Sequence, residues 1–406
     1  MDIKLESQVP AADTDASRFL IEATDSKTAC MAARYVLPEP GTRHVSRFDQ
    51  LRKILRNEAM HQNGAALAPI EKDDPTRASI FFLHGEEHKR RRGAIINFFT
   101  PKAVATRHLP IITEAADALI ADFRRKGRVR LDDISFALTA KVVANIIGLT
   151  ETPLLPMMHR IENANGTTDV WRGGIRKLLA PLKSRFYGMS FFLRDVKPAI
   201  AARRASRRED VISRLLDEGR SDTEILVECM TFGLAGFGTT REFIIVAAWH
   251  LFDNEPLRRR FVGGTDAERM AILMEILRLE PQASMIYRTA TGAADDGTER
   301  PVAPGERLSL DIRAANLDEA VVGANPGRID PDRAAKMKNN GAWMSFGDGA
   351  HFCPGWQVGL TETRILLERL FAVPGIRLER APDLDWTPPM LQSYQFKNAV
   401  ITCDPA

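Results

Sequence analysis

The chain has 406 residues, 44% of them apolar and 27% charged, with a formal net charge of +3. That balance excludes a disordered chain and supplies enough apolar mass for a large core, while near-neutral charge argues against a protein built to wrap nucleic acid. The four cysteines, Cys30, Cys229, Cys353 and Cys403, form neither a CxxC pair nor a small disulfide framework, so a reducing cytoplasmic setting without a cysteine-rich zinc site is expected.

The chain opens on MDIKLESQVPAADTDASRF, polar and acidic, without the layout of a signal peptide or anchor, and no later run reaches the roughly 20 apolar residues that span a bilayer. No linker or repeat interrupts residues 1–406, which predicts one domain. Residues 62–82 and 163–194 mix Gly, Pro and aromatics and read as irregular excursions, either covering a pocket or forming simple surface loops. Between them, EEHKRRR sets His88 and Arg92 one helical turn apart around the basic run Lys89, Arg90 and Arg91. Ile112, Ala115, Ala116, Leu119, Ile120 and Phe123 recur at helical spacing. So do Ile134, Leu138, Val142, Ile146 and Ile147, behind Asp132 and Asp133 as caps.

A longer helix follows. Ser221 and Glu224 form a capping-box pattern and Pro256 marks a stop, so the segment between them predicts about 30 helical residues, roughly 45 Å. Its middle is apolar nearly all round, the mark of a buried central helix. At its centre, AGFGTT carries Gly236 and Gly238 where alanine favours a helix by about 1 kcal/mol per site. Glycine there leaves room beside the backbone or lets the helix bulge. Downstream, EILR places Glu275 and Arg278 on one helix face, MIYRTAT contains Arg288, and IDPDR contains Arg333. Strand-like pieces come late, at 307–313, 376–379 and the last dozen residues, so the fold class is mainly α with small β-sheets.

The remaining segment is FGDGAHFCPG, residues 346–355. A lone Cys353 there reads as a small buried hydrophobe, a nucleophile or a metal ligand. The ligand reading is favoured because Gly347, Gly349 and Gly355 let backbone lie against something flat, and a helical pattern beginning after Pro354 puts the sulfur near a helix N-terminus, which stabilises a thiolate. A single thiolate without a second ligand nearby suits a cofactor that brings its own remaining ligands, such as heme iron.

These residues resemble the heme-binding loop of the cytochrome P450 family, with Phe346, Gly347, Gly349, His351, Cys353 and Gly355 at matching positions. The resemblance implies a triangular helical prism around a long central helix, heme b (iron protoporphyrin IX) on Cys353, and heme carboxylates met by His88, Arg92, Arg288 and His351. It makes Glu275, Arg278 and Arg333 a buried structural cluster clamping the cysteine loop. AGFGTT is similar to the family's AGxDT or AGxET, which puts Ala235 and Gly236 against the heme and Thr239 at the alcohol position. Two positions depart from the pattern: Gly238 stands where the family carries its acid, so protons come through water on Thr239 or from elsewhere, with Glu242 as a candidate, and Leu360 replaces a common arginine. Thr231, Leu234, Phe237, Met285, Ile286 and Leu391 are expected to line an apolar substrate pocket.

The function implied is a cytoplasmic, bacterial-type monooxygenase that hydroxylates or O-dealkylates an apolar small molecule with O2 and electrons from ferredoxin and ferredoxin reductase. The donor is expected to dock at Lys89, Arg90 and Arg91, with neither nucleic acid nor a membrane span involved. Peroxide-driven oxidation, suggested by Gly238, and a non-catalytic heme protein are the alternatives.

Overall fold

The computed structural model describes residues 41–63, 78–165, 174–294, 300–387 and 393–404, with the isolated positions 38 and 297. Strand β1 (Arg43–Val45), helix α1 (Phe48–Arg56) and strand β2 (Met60–Asn63) precede α2 (Gly85–Ile95), α3 (Leu109–Lys126), β3 (Arg128–Arg130) and α4 (Leu131–Ile147). Then come α5 (Leu154–Asn165), α6 (Gly174–Phe191), α7 (Lys197–Ala205), α8 (Val211–Asp217), the long α9 (Asp222–Asp253), α10 (Glu255–Gly263) and α11 (Asp266–Leu279). Strands β4 (Met285–Ala290) and β5 (Arg307–Asp311), α12 (Trp356–Phe371), and β6 (Arg377–Arg380), β7 (Asp383–Thr387), β8 (Ser393–Lys397) and β9 (Val400–Thr402) complete the order. The mainly helical class with small sheets holds.

Helix α9 spans 32 residues, about 48 Å at 1.5 Å per residue. Its capping box is complete: the Ser221 hydroxyl accepts from the Glu224 N–H while the Glu224 carboxylate accepts from the Ser221 N–H. The glycine pair does not make it bulge, since the helix is α throughout. From Phe243 to Leu251 every residue is buried, packed among α3, α4, α11 and α12. Helices α3 and α4 bury the stripes their spacing predicts and end on left-handed Gly127 and Gly148.

Three expectations are corrected. Asp132 and Asp133 do not cap α4: Arg130 is the N-cap, and the two acids sit in the first turn, where they favour the helix dipole. Residues 163–194 are not irregular where they are described: 163–165 end α5, and from Gly174 the chain is helical through α6, a π turn at Phe192–Val196, and α7, while 166–173 lie outside the described residues. The 307–313 strand stops at Asp311 because that carboxylate accepts from the Ala314 N–H and caps a helical turn, Ile312–Ala315. Within 62–82, residues 62 and 63 belong to β2 and Ile80–Phe82 form a 3₁₀ turn; 64–77 lie outside the described residues.

A four-stranded sheet, ordered β1-β5-β4-β2, pairs β1 with β5 in parallel and the rest antiparallel. Register sets Arg288 beside Gln62 on one side and Leu308 on the other. A second sheet, β3-β9-β6, and a β7-β8 pair flank the helical core, and no helix among the described residues is long and apolar enough to cross a membrane.

Candidate functional site

Helices α2 and α9, strand β4 and the segment before α12 enclose a cavity of about 320 Å³. The segment is held open by glycine. Gly347 and Gly349 have φ of 72° and 69°, and a Cβ on Gly349 would stand 2.3 Å from the Leu55 carbonyl oxygen, so only glycine passes α1 there. Asp348 pins the loop to α1 through Arg52 at 3.3 Å and Arg56 at 3.0 Å. The Cys353 N–H donates to the Phe346 carbonyl at 2.9 Å and closes the loop.

The Cys353 sulfur faces the cavity at the start of α12, where the Gly355 and Trp356 N–H groups donate to it. Burial pushes the thiol up, while those donors and the Arg92 charge favour the thiolate. Arg92 donates to the Phe352 carbonyl, one residue before the sulfur. His88, one turn earlier on α2, is buried with its ring centroid 4.2 Å from that of His351. Arg288 reaches the same wall from β4, only 3% exposed. Burial lowers its pKa to about 10; it donates to the Tyr287 carbonyl, and no carboxylate among the described residues pairs with it. Burial, then the Arg288 charge, lowers His351 to about 2. Two guanidiniums and two imidazoles thus line the cavity, and of its carboxyl groups Asp348 is held by Arg52 and Arg56 and Glu362 is bonded to none of the four, a donor set that a flat dicarboxylate such as heme fits. Sequence reasoning missed His84, whose ring stacks on His61 at 3.9 Å and meets His351 at 5.3 Å. It also missed Gln62, whose Nε2 is buried without a partner at the cavity wall.

Beneath the loop, Glu275, Arg278 and Arg333 come together, 3%, 0% and 4% exposed. Arg278 grips Glu275 with two bonds of 2.9 and 2.8 Å, and Arg333 Nε donates to Glu275 Oε1 at 2.8 Å. Asn316 carries the connection onward: its side chain donates to the Arg278 carbonyl and to Ser345 Oγ, and accepts from the Met344 N–H.

On the opposite wall Ala235, Gly236, Thr239 and Thr240 face the cavity from α9. Thr239 Oγ1 donates to the Ala235 carbonyl at 2.8 Å. A Cβ on Gly236 would lie 3.1 Å from Val143 Cγ2, whereas one on Gly238 would meet nothing within 4 Å. Glu242 is not at the cavity. Its Oε2 accepts from the Phe396 N–H of β8 at 2.7 Å, and burial raises its pKa to about 7.

Of the expected pocket residues, Thr231 and Ile286 line the cavity. Leu234 and Phe237 point elsewhere, Phe237 edge-on to Phe136 at 4.7 Å, and Met285 packs with Tyr287 on the other face of β4. Leu391 lies outside the described residues. Phe81, Phe99, Val143 and Phe232 line the cavity instead. The basic run is also revised: Arg91 is 4% exposed and bound to Glu87, Glu228 and the Ala78 carbonyl, while Lys89 and Arg90, exposed, pair with Glu86 and Glu87.

No family model matches the chain. Among curated proteins it is 26% identical over 347 residues to an erythromycin C-12 hydroxylase of Saccharopolyspora erythraea, covering 82% of each chain. It is 28% identical over 338 residues to a steroid C26-monooxygenase of Mycolicibacterium smegmatis, covering 81% of this chain and 78% of that one. Among solved structures, CYP164A2 of Mycobacterium smegmatis superposes with a TM-score of 0.72 at 25% identity, over 90% of this chain and 92% of that one. CalO2 gives a TM-score of 0.77 at 21% identity, over 95% and 100%. The cysteine loop, the cationic wall and the long distal helix all open on one cavity, and over most of its length the chain is similar to proteins of the cytochrome P450 family.

Proposed function

We propose that the protein is a heme b monooxygenase in which Cys353 ligates the iron and an apolar organic substrate binds against α9. The observation that carries this is that the Cys353 sulfur and the unpaired, buried Arg288 guanidinium open on the same cavity, opposite Ala235, Gly236 and Thr239. When bound, the heme supplies the redox chemistry that activates dioxygen.

The protein's part is positioning. The Gly355 and Trp356 N–H groups donate to the sulfur and so favour its anionic form against the burial that opposes it. His88, Arg92, Arg288 and His351 take the two carboxylates, and the Glu275–Arg278–Arg333 cluster fixes the loop through Asn316 and Ser345. Thr239, donating to the Ala235 carbonyl, turns its lone pairs to the cavity to accept from water or substrate. Phe81, Phe99, Val143, Phe232 and Ile286 exclude bulk water and select apolar substrates by shape. The erythromycin and steroid relatives point to C–H hydroxylation of a large ring compound. Electrons come from a ferredoxin and its reductase, and the docking face on α2 reduces to Lys89 and Arg90, each opposed by glutamate.

The test is the reduced carbon monoxide adduct, with pyridine extraction to type the heme. A red-shifted Soret band that Cys353→Ser abolishes is expected, with heme b recovered from the parent; a parent without that band refutes the assignment. Gly238 favours a second reading, peroxide-driven oxidation, for which hydrogen peroxide alone outpaces the ferredoxin chain.

A further inference from the structure

Seven large apolar side chains among the described residues are exposed, and five of them belong to one helical hairpin: Leu155 on the first turn of α5, Leu182, Phe186 and Met189 on α6, and Leu193 in the π turn that follows. Leu182, Phe186 and Met189 are spaced four and then three residues apart, which confines them to an arc of roughly 60° at 3.6 residues per turn, so they form a single stripe. The opposite face of α6 packs on α5. Phe191 is buried there, Ser184 Oγ donates to the Ala164 carbonyl, and the Tyr187 and His159 rings meet edge to face at 5.6 Å. Asp195 ties the end of the hairpin together, accepting from Thr152 at 2.7 Å and Arg160 at 2.6 Å, which brings the segments carrying Leu155 and Leu193 to the same end. Helix α5 lies in turn on α9, since a Cβ on Gly233 would stand 3.4 Å from Ile161 Cδ1. The stripe is therefore the outer face of the hairpin, and a run of exposed apolar side chains marks an interaction surface.

Charge decides what that surface meets. From Gly174 to Phe191 the sequence has four cations and no acid. Arg185 is exposed beside the stripe, as are Arg194 and Lys197 beyond it. The nearby acids are engaged: Asp195 is buried on Arg160, and Glu162 pairs with Arg241 at 3.5 Å. Pairing this face with a second copy sets cation against cation. A basic helix with an outward apolar stripe suits the headgroup layer of a bilayer instead, where its apolar side chains reach the acyl boundary and its cations stay with the phosphates.

We propose that α6, with the π turn after it and the first turn of α5, seats the protein on the surface of an anionic phospholipid bilayer. Leu182, Phe186, Met189 and Leu193 enter the acyl boundary, and Arg185 and Arg194 meet the phosphates. This is attachment without a span, because no helix among the described residues is long and apolar enough to cross. The attachment does not depend on the heme or on the monooxygenase reading, although a bilayer is also where apolar compounds dissolve.

The test is flotation of the holoprotein with vesicles of phosphatidylcholine alone or with one-third phosphatidylglycerol, together with sedimentation velocity without lipid. Flotation with the anionic vesicles is expected, weakened by about 0.5 M NaCl. Leu182→Ser combined with Phe186→Ser lowers the partition constant about tenfold or more, and Arg185→Glu combined with Arg194→Glu lowers it about fivefold or more. Val262→Ser, which removes an apolar group exposed on α10, leaves it at the parental value, and each variant keeps the parental thermal midpoint, which shows that it folds. Parental protein that stays at the bottom of the gradient, equal flotation with neutral vesicles, or a parental partition constant in the double serine variant overturns the proposal. So does a dimer in sedimentation that the double serine variant dissolves, which gives the stripe to a second copy. Failure of the heme-thiolate reading shows separately, as a missing red-shifted Soret band.

Discussion

Arg333 uses all five of its N–H donors. Nε meets Glu275 at 2.8 Å, one terminal nitrogen meets the Val322 and Ala324 carbonyls at 2.8 and 3.1 Å, and the other meets those of Asn325 and Arg328 at 2.9 and 3.0 Å. No other side chain supplies that planar fork. Arg333→Ala leaves Glu275 and four carbonyls short of a donor, so a loss of about 3–5 kcal/mol and reduced heme content are expected. Arg333→Lys is expected to recover less than half of it, checked by urea unfolding and heme-to-protein ratio. The ExxR spacing and the later arginine are legible in sequence; Asn316 and Ser345, which join them to the loop, are not, because their bonds run largely to backbone. Pocket residues failed for a related reason, that a sequence does not say how an element is rotated. Thr231, Ala235 and Thr239 recur every fourth residue along the cavity face of α9, and Leu234 and Phe237 fall off that line. On β4 alternation sends Ile286 and Arg288 to the cavity and Met285 and Tyr287 away.

Among elements, α9 was the most legible, since its capping box, length and stop are local signals. Helix α6 was not, because several of its large apolar residues are exposed, with Leu182, Phe186 and Met189 at 67%, 68% and 58%, and Pro181 sits inside the helix. The amphipathic signal therefore pointed nowhere. Within α9 the two glycines are unequal. Gly238→Ala meets nothing and is expected to stabilise the helix by about 0.5–1 kcal/mol, whereas Gly236→Ala must move Val143 and gains nothing, read as the shift in thermal midpoint of each variant. The contact of α9 with β8 carries a pH signature. Burial raises Glu242 to about 7 against an ordinary 4.5, offset in part by Arg241, the Phe396 N–H and Lys397 and reinforced by Asp132. Between those values the folded state binds more protons than the unfolded one, so this group's contribution falls as pH rises from about 4.5 to about 7 and is level above. Glu242→Gln keeps an acceptor for Phe396 and removes the slope. Its stability relative to the parent is expected to rise by up to about 1.4 kcal/mol per pH unit across that window, measured by urea midpoints at pH 5 and pH 8.

At the scale of the whole molecule, the cavity is where distant parts of the chain meet. Helix α2, strand β4, the center of α9 and the Cys353 loop each contribute a wall, and among the described residues Arg288 has no anion to answer its charge. Without a dicarboxylate in place, that charge is buried at a cost that the surrounding packing must carry. The core of α3, α4, α8 and the second half of α9 needs no such partner, since Ile112, Phe123, Leu138, Ile212 and Ile244 are buried against other apolar side chains. The two regions should therefore part company when heme is withdrawn. Amide hydrogen exchange of the apoprotein is expected to lose protection in α2, β4 and residues 346–355 while α3 and α4 keep theirs. Added hemin at a thousand times its dissociation constant should restore about 4 kcal/mol of stability. Arg288→Leu, which removes the uncompensated charge, is expected to narrow the difference between apoprotein and holoprotein from both sides, stabilising the former and weakening heme retention in the latter. Uniform loss of protection across all helices would instead mean that the cavity and the core unfold as one unit.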